Sequence, residues 1–322
     1  MIGTQRSATS VIRCIAVICL ALLVAAPRSA VAQSRFSGVV VFGTSLSDPG
    51  NAFALGGDAS TPPDFTLNAL LVPAAPYAKG GHHFSNGATW IEQFAGSQGL
   101  SSTVRPAFLD AHATNYAVGA ARAYEDGINL NLTRQVDVFL ERSGNIAPVQ
   151  ALYVIEMGSN DIRDAFGVYA TGGNGGPILA GAVASIASNI QRLYAAGARE
   201  FLVWVAPNVA LTPAIRSLPP AAQNLAGLLT QVFNANLAAA LTQLSANLPG
   251  SSFERLDAYR LLNDIVADPA TFDLANVTAA CLTPNEAPFT CQEADAYLFW
   301  DGIHPTRVGH AILAVEAAKA VQ

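Results

Sequence analysis

Charge is scarce in this chain of 322 residues: Asp, Glu, Lys and Arg make up only 12%, and bases are the rarer kind, 17 against 23 acids. No basic stripe is present, which argues against nucleic acid or an anionic membrane surface as partner. Cysteine is nearly absent. Of four, Cys14 and Cys19 fall in the first apolar stretch, leaving Cys281 and Cys291 ten residues apart. Without a nearby histidine, that pair does not make a zinc site. There is also no internal repeat, and no linker that would separate two domains.

What is there begins with a leader. Arg6 and Arg13 form a basic start, Val11 to Ala26 is an apolar core broken only by Arg13, and Ala30-Val31-Ala32 is a small-x-small cleavage site. This pattern predicts a signal peptide over 1–32 and a mature chain, 33–322, forming a single domain. The apolar run is shorter than the roughly 20 residues of a spanning helix, so no integral membrane span is expected in the mature chain. Neither leader cysteine precedes a suitable lipoprotein start. Loss of Arg6, Arg13 and Arg28 leaves 14 bases against 23 acids, a net charge of −9. The expected location is secreted or periplasmic. There, Cys281 and Cys291 suit one disulfide closing a short loop, the alternative being two free buried thiols.

Five short apolar runs read as strands: Val39–Phe42, Thr114–Val118, Leu152–Glu156, Phe201–Val205 and Ser252–Leu256. Most are continuous rather than alternating, as in strands covered on both faces. Between them, helices are predicted over Trp90–Gln98, Arg134–Arg142, Pro177–Ala196, Pro220–Asn247 and Thr306–Val321. Strand followed by helix, repeated, implies an α/β fold with a parallel sheet. Asp48–Phe84, Gly167–Pro177 and Asp268–Tyr297 are long loops. Two sequons, Asn131-Leu132-Thr133 and Asn276-Val277-Thr278, match the glycosylation pattern.

Ligands of an open parallel sheet bind beyond the carboxyl ends of its strands. Ser45 follows the first run, Gly119 the second and Asn160 the third, while Asp301 and His304 lie just before the last helix. These residues form a candidate hydrolytic site. His304 would accept the Ser45 proton as the hydroxyl attacks an ester carbonyl, and Asp301 would fix the imidazole tautomer. Donors for the developing oxyanion would be the Ser45 N–H, the Gly119 N–H and the Asn160 amide. Pro305 suits a first helical position and biases His304 towards an extended backbone. His310 reads as structural, and His82-His83 as loop residues rather than metal ligands.

Phe42-Gly43-Thr44-Ser45-Leu46-Ser47-Asp48, Met157-Gly158-Ser159-Asn160-Asp161 and Asp301-Gly302-Ile303-His304-Pro305-Thr306 resemble the blocks of the SGNH, or GDSL-type, hydrolases. The four marker residues of that family would be Ser45, Gly119, Asn160 and His304. His83-Phe84-Ser85-Asn86-Gly87 with Trp90, and Leu262–Val266 through Asn276-Val277-Thr278 and Cys281, are similar to its lipase/esterase branch. That branch includes lysophospholipases, glycerophospholipid acyltransferases and cholinesterase-like enzymes. The resemblance implies a three-layer α/β/α fold with a five-stranded, flavodoxin-like parallel sheet. It implies a serine carboxylic ester hydrolase that needs no metal or organic cofactor and acts on a small-molecule or lipid ester. An acyltransferase using the same acyl-serine is the alternative, and a silent ligand-binding protein a further one. Thr44 departs from the pattern, standing where the family usually has aspartate. On sequence alone, Thr44→Asp is expected to be mild or beneficial.

Overall fold

The computed structural model describes residues 1–2, 34–56, 72–73, 76–77, 81–283 and 287–322. The leader, its cleavage site, and Phe65, Leu67, Leu70 and Leu71 of the long loop lie outside the described residues. The chain divides into Met1–Ala32 and a compact unit Gln33–Gln322, and only the second is considered below.

Four strands, β1 (Val39–Gly43), β2 (Leu152–Glu156), β3 (Glu200–Val205) and β4 (Ser252–Asp257), lie side by side in that order, all parallel. A small parallel pair, β5 (Asn276–Ala280) and β6 (Tyr297–Phe299), stands apart from them. The helices are α1 (Asn51–Gly56), α2 (Trp90–Ser97), α3 (Leu132–Arg142), α4 (Ser159–Ala170), α5 (Gly176–Ala196), α6 (Pro213–Arg216), α7 (Pro220–Asn247), α8 (Ala258–Ala267) and α9 (Arg307–Ala320). Helices α3, α4, α5 and α7 pack together, while α2 packs on α9, and α8 and α9 contact the sheet.

Every residue of β1 and β2 is buried, the signature expected of strands covered on both faces. The register aligns Tyr153, Phe201 and Phe253 across three strands, with ring centroids 5.8 and 5.1 Å apart, and Phe139 of α3 meets Tyr153. Trp204, one residue out of phase with Val203 and Val205, contacts Trp90 of α2. Helix α7 is 28 residues long and apolar enough to cross a membrane. It instead buries Leu229, Phe233, Leu237, Leu241 and Leu244 on one face and packs on α4, α5 and β4.

The five-stranded expectation is off by one. Thr114–Val118 runs beside β1, with Val41 N–H donating to Thr114 O and Tyr116 N–H to Val41 O, yet it forms only isolated bridges. Its outward carbonyls go to a side chain: Asn51 Nδ2 donates to both Asn115 O and Ala117 O at 2.8 Å. Pro305 also differs from expectation. It precedes the N-cap of α9, Thr306, whose hydroxyl accepts the Gly309 N–H. Cys281 and Cys291 are joined in a disulfide. Asn131 of the first sequon is fully buried, accepting the Arg122 N–H and donating to Asp126.

Candidate active site

The chain leaves β1, visits the edge segment on one side, then returns to β2 on the other, so the sheet order reverses at β1. The turn after β1 sits at that switch point. Gln135 of α3 closes the strand end, donating to Gly43 O and accepting Gly43 N–H, both at 2.9 Å. Below the turn lies Glu156, the last residue of β2 and fully buried. Its carboxyl accepts the Thr44 N–H at 2.8 Å and the Thr44 hydroxyl at 3.0 and 3.1 Å. Burial pushes this carboxyl up to about 7 against the pull of its Thr44 and Ser47 donors. Ser47 Oγ in turn accepts the Trp90 indole N–H at 3.0 Å.

The second element of the site is the bend between β6 and α9. Asp301 Oδ1 accepts the N–H groups of Ile303 and His304, both at 2.8 Å, folding the bend onto its own carboxylate. Asp301 Oδ2 lies 2.6 Å from His304 Nδ1, and His304 Nε2 lies 2.8 Å from Ser45 Oγ. Asp301 is fully buried and His304 nearly so, whereas Ser45 opens into a pocket. Residues 259 positions apart thus meet at hydrogen-bond distance. Tyr77 adds a contact that sequence reasoning missed: its hydroxyl donates to Asp301 Oδ2 at 3.1 Å, and burial with Asp301 nearby pushes its own pKa up. No spacing connects Tyr77 to a residue 224 positions away.

Asn160 is placed by β2 and the start of α4. Gly158, at φ 117°, makes the sharp entry to that helix, and a Cβ there would lie 2.4 Å from Phe233. Asn160 Nδ2 donates one hydrogen to Ala121 O at 2.8 Å. Gly119 departs from expectation, because its N–H donates to Asp48 Oδ2 at 2.8 Å and is already committed. The adjacent N–H, of Ala120 at φ 65°, and that of Ser45 have no acceptor among the described residues. Glycine is nonetheless required at 119, where a Cβ would meet the Phe84 ring at 2.3 Å.

His310 of α9 accepts the Trp90 N–H at 3.2 Å, and burial holds its pKa down to about 3. His83 pairs with Glu92 at 2.8 Å, and His82 stacks on Phe53. Neither belongs to a metal-binding group among the described residues.

Two pockets meet at Ser45. The first is apolar, with Leu46, Phe166, Val209 and Ile215 in its wall. The second is more polar and opens between Pro73, Phe84 and Ala120. Asn160, Arg163, Ile303 and His304 belong to both walls. Arg163 is half-buried and makes no hydrogen bond or ion pair among the described residues; burial and Arg122 hold its pKa down, with Asp164 opposing. A wider groove between Tyr124, Ile178 and Arg192 contains none of these residues.

The profile of the GDSL-like lipase/acylhydrolase family matches residues 39–317. The chain belongs to that family. A GDSL esterase/lipase of Arabidopsis thaliana is 25% identical over 89% of this chain and 90% of its own. Esterase EstA of Pseudomonas aeruginosa is 29% identical over 93% of this chain, which spans 49% of that longer protein. A solved member of the lipolytic G-D-S-L family from Veillonella parvula is 12% identical, with 88% of this chain and 96% of that one covered and a TM-score of 0.44.

Proposed function

We propose that this GDSL-family protein hydrolyses carboxylic esters through an acyl intermediate on Ser45. The observation that carries the reading is the unbroken line Asp301 Oδ2–His304 Nδ1, then His304 Nε2–Ser45 Oγ, at 2.6 and 2.8 Å. Asp301 holds the Nδ1–H tautomer, leaving Nε2 free to take the hydroxyl proton as Ser45 Oγ attacks the ester carbon. The imidazolium then returns the proton to the leaving alcohol, and a water activated by the same ring releases the acid. The oxyanion is received by the Ser45 N–H, the second hydrogen of the Asn160 amide and, since Gly119 is committed to Asp48, the Ala120 N–H. Each such donor is worth about 3–4 kcal/mol in the transition state.

The apolar pocket suits the acyl chain. Arg163, on the wall shared by both pockets and without a hydrogen-bond or ion-pair partner among the described residues, favours an ester carrying an anionic group close to the scissile bond. The reading includes export to the periplasm or medium after cleavage following Ala32, an environment in which the Cys281–Cys291 disulfide persists.

The test is p-nitrophenol release from acetate, butyrate and palmitate esters, with labelling by a fluorophosphonate. Wild type should turn over and become labelled, and Ser45→Ala should do neither. Equal rates in the two would overturn the assignment. A new ester formed when glycerol or a sterol is added would assign acyl transfer instead of hydrolysis.

A further inference from the structure

The motif carboxylate that the serine turn lacks has a counterpart on the neighbouring strand. We propose that Glu156 is a positioning residue for Ser45, acting through Thr44 as an acceptor that fixes the turn presenting the nucleophile. The inference rests on the ester-hydrolase reading and names how this chain supports its serine.

Three observations carry it. Thr44 directs two donors, its backbone N–H and its hydroxyl, at the Glu156 carboxyl, at 2.8 to 3.1 Å. Thr44 is the residue immediately before Ser45, so these bonds set the peptide from which the Ser45 N–H projects. Glu156 is fully buried and closely confined: a Cβ on Gly43 would stand 3.0 Å from its Oε2. A carboxyl in such a place, with Asp161 as the nearby acid raising its pKa further, persists only where donors are aimed at it. Thr44 and Ser47 supply those donors.

The pairing reverses the expectation that Thr44→Asp is mild. An aspartate at 44 would face Glu156 directly, and two buried carboxylates at that distance cannot both ionise. One would have to take a proton, or the turn would have to shift. Removing the charge at 156 should relieve the conflict, because a glutamine there donates to the new aspartate while keeping the volume.

The experiment is a double-mutant cycle with Thr44→Asp, Glu156→Gln and the double variant. The readouts are kcat and KM on p-nitrophenyl butyrate, the pH dependence of kcat and the rate of fluorophosphonate labelling. Thr44→Asp alone should lower kcat about tenfold or more with little change in KM, and Glu156→Gln should lower kcat and alter the acid limb of its pH profile. The double variant should recover to within a few-fold of wild type. Near-UV circular dichroism identifies any variant whose core packing has changed, and rescue by the double substitution is a result that general unfolding cannot give. A labelled, active wild type with Glu156→Gln unchanged in kcat and pH profile, or a double variant no better than Thr44→Asp, would overturn the inference alone. A wild type that neither reacts with the fluorophosphonate nor cleaves any ester would overturn the hydrolase reading, and this inference with it.

Discussion

Asp48 Oδ2 accepts the Gly119 N–H at 2.8 Å, joining the serine turn to the loop beyond the edge segment. Its other oxygen accepts the N–H groups of Gly50 and Asn51, and Oδ2 also takes Ala52, so one buried side chain caps α1 and fixes the Gly119–Ala120 peptide. Asp48→Asn keeps the oxygen facing Gly50 but turns an NH₂ towards Gly119. We expect kcat on p-nitrophenyl butyrate to fall about tenfold, with a smaller loss of Tm than Asp48→Ala, which leaves four N–H groups without an acceptor at about 1–3 kcal/mol for each one still buried. Steady-state kinetics and thermal melts of both variants check this. Unchanged kcat in Asp48→Asn would separate Asp48 from the site.

Tyr77 donates to the same Asp301 oxygen, Oδ2, that faces His304 Nδ1. Tyr77→Phe removes one hydroxyl and little volume. A hydrogen bond to a charged carboxylate contributes about 1.5–3 kcal/mol, so kcat should drop by roughly ten- to a hundredfold while KM moves little. Comparing wild type with Tyr77→Phe across pH separates an effect on His304 from a change in substrate binding.

Arg163 tests the substrate reading. Arg163→Gln should raise KM for a lysophosphatidic acid about tenfold or more and leave a neutral monoacylglycerol of the same chain almost unaffected. Fatty-acid release from the two lipids is the measurement. Equal losses in kcat on both would instead make the guanidinium a general electrostatic support for the oxyanion.

Three buried carboxyls should lose their stabilising contribution as pH rises, against the opposite trend of His310, whose lowered value favours folding as pH climbs from about 3 to 6.5. Burial pushes Glu156 from 4.5 to about 7, and Asp48 and Asp161 from 3.8 to about 6. Each binds its proton more tightly folded than unfolded. Its contribution is therefore complete below the unfolded value and is lost as pH climbs through the folded one. For Glu156 the window runs from about 4.5 to 7, and the shift corresponds to roughly 3 kcal/mol. Glu156→Gln lacks this titration, so the Tm of wild type minus that of the variant should shrink across the window. A difference independent of pH would show that Glu156 ionises freely in the folded protein.

Much of this was legible in the chain itself. Val39–Val41 and Leu152–Ile155 are apolar without interruption, and both lie in strands buried along their whole length. Proline and glycine marked the ends of α5 and α7 to within two residues. Ser45, Asn160, Asp301 and His304 were readable because each follows a strand or precedes a helix. Thr114–Val118 misled because it is as apolar as a strand, whereas its outward carbonyls are taken by Asn51, which no periodicity reveals. Helix α4 went unread since it starts on a polar Ser-Asn-Asp run and depends on Gly158 at positive φ. Glu156 looked like the end of a strand. Its role, like those of Tyr77 and Asp48, lies in contacts between distant segments.

The Asn51 side chain has one more effect. A parallel sheet ending in free carbonyls invites a strand from another copy of the chain to dock there. Here the Asn115 and Ala117 carbonyls are already taken by Asn51 Nδ2, and the Ala107 N–H also reaches Asn115 O. On this side the sheet is sealed by an amide too short to be extended. Asn51, together with the Ala107 N–H, thereby leaves neither of these two carbonyls free to receive a strand from another copy.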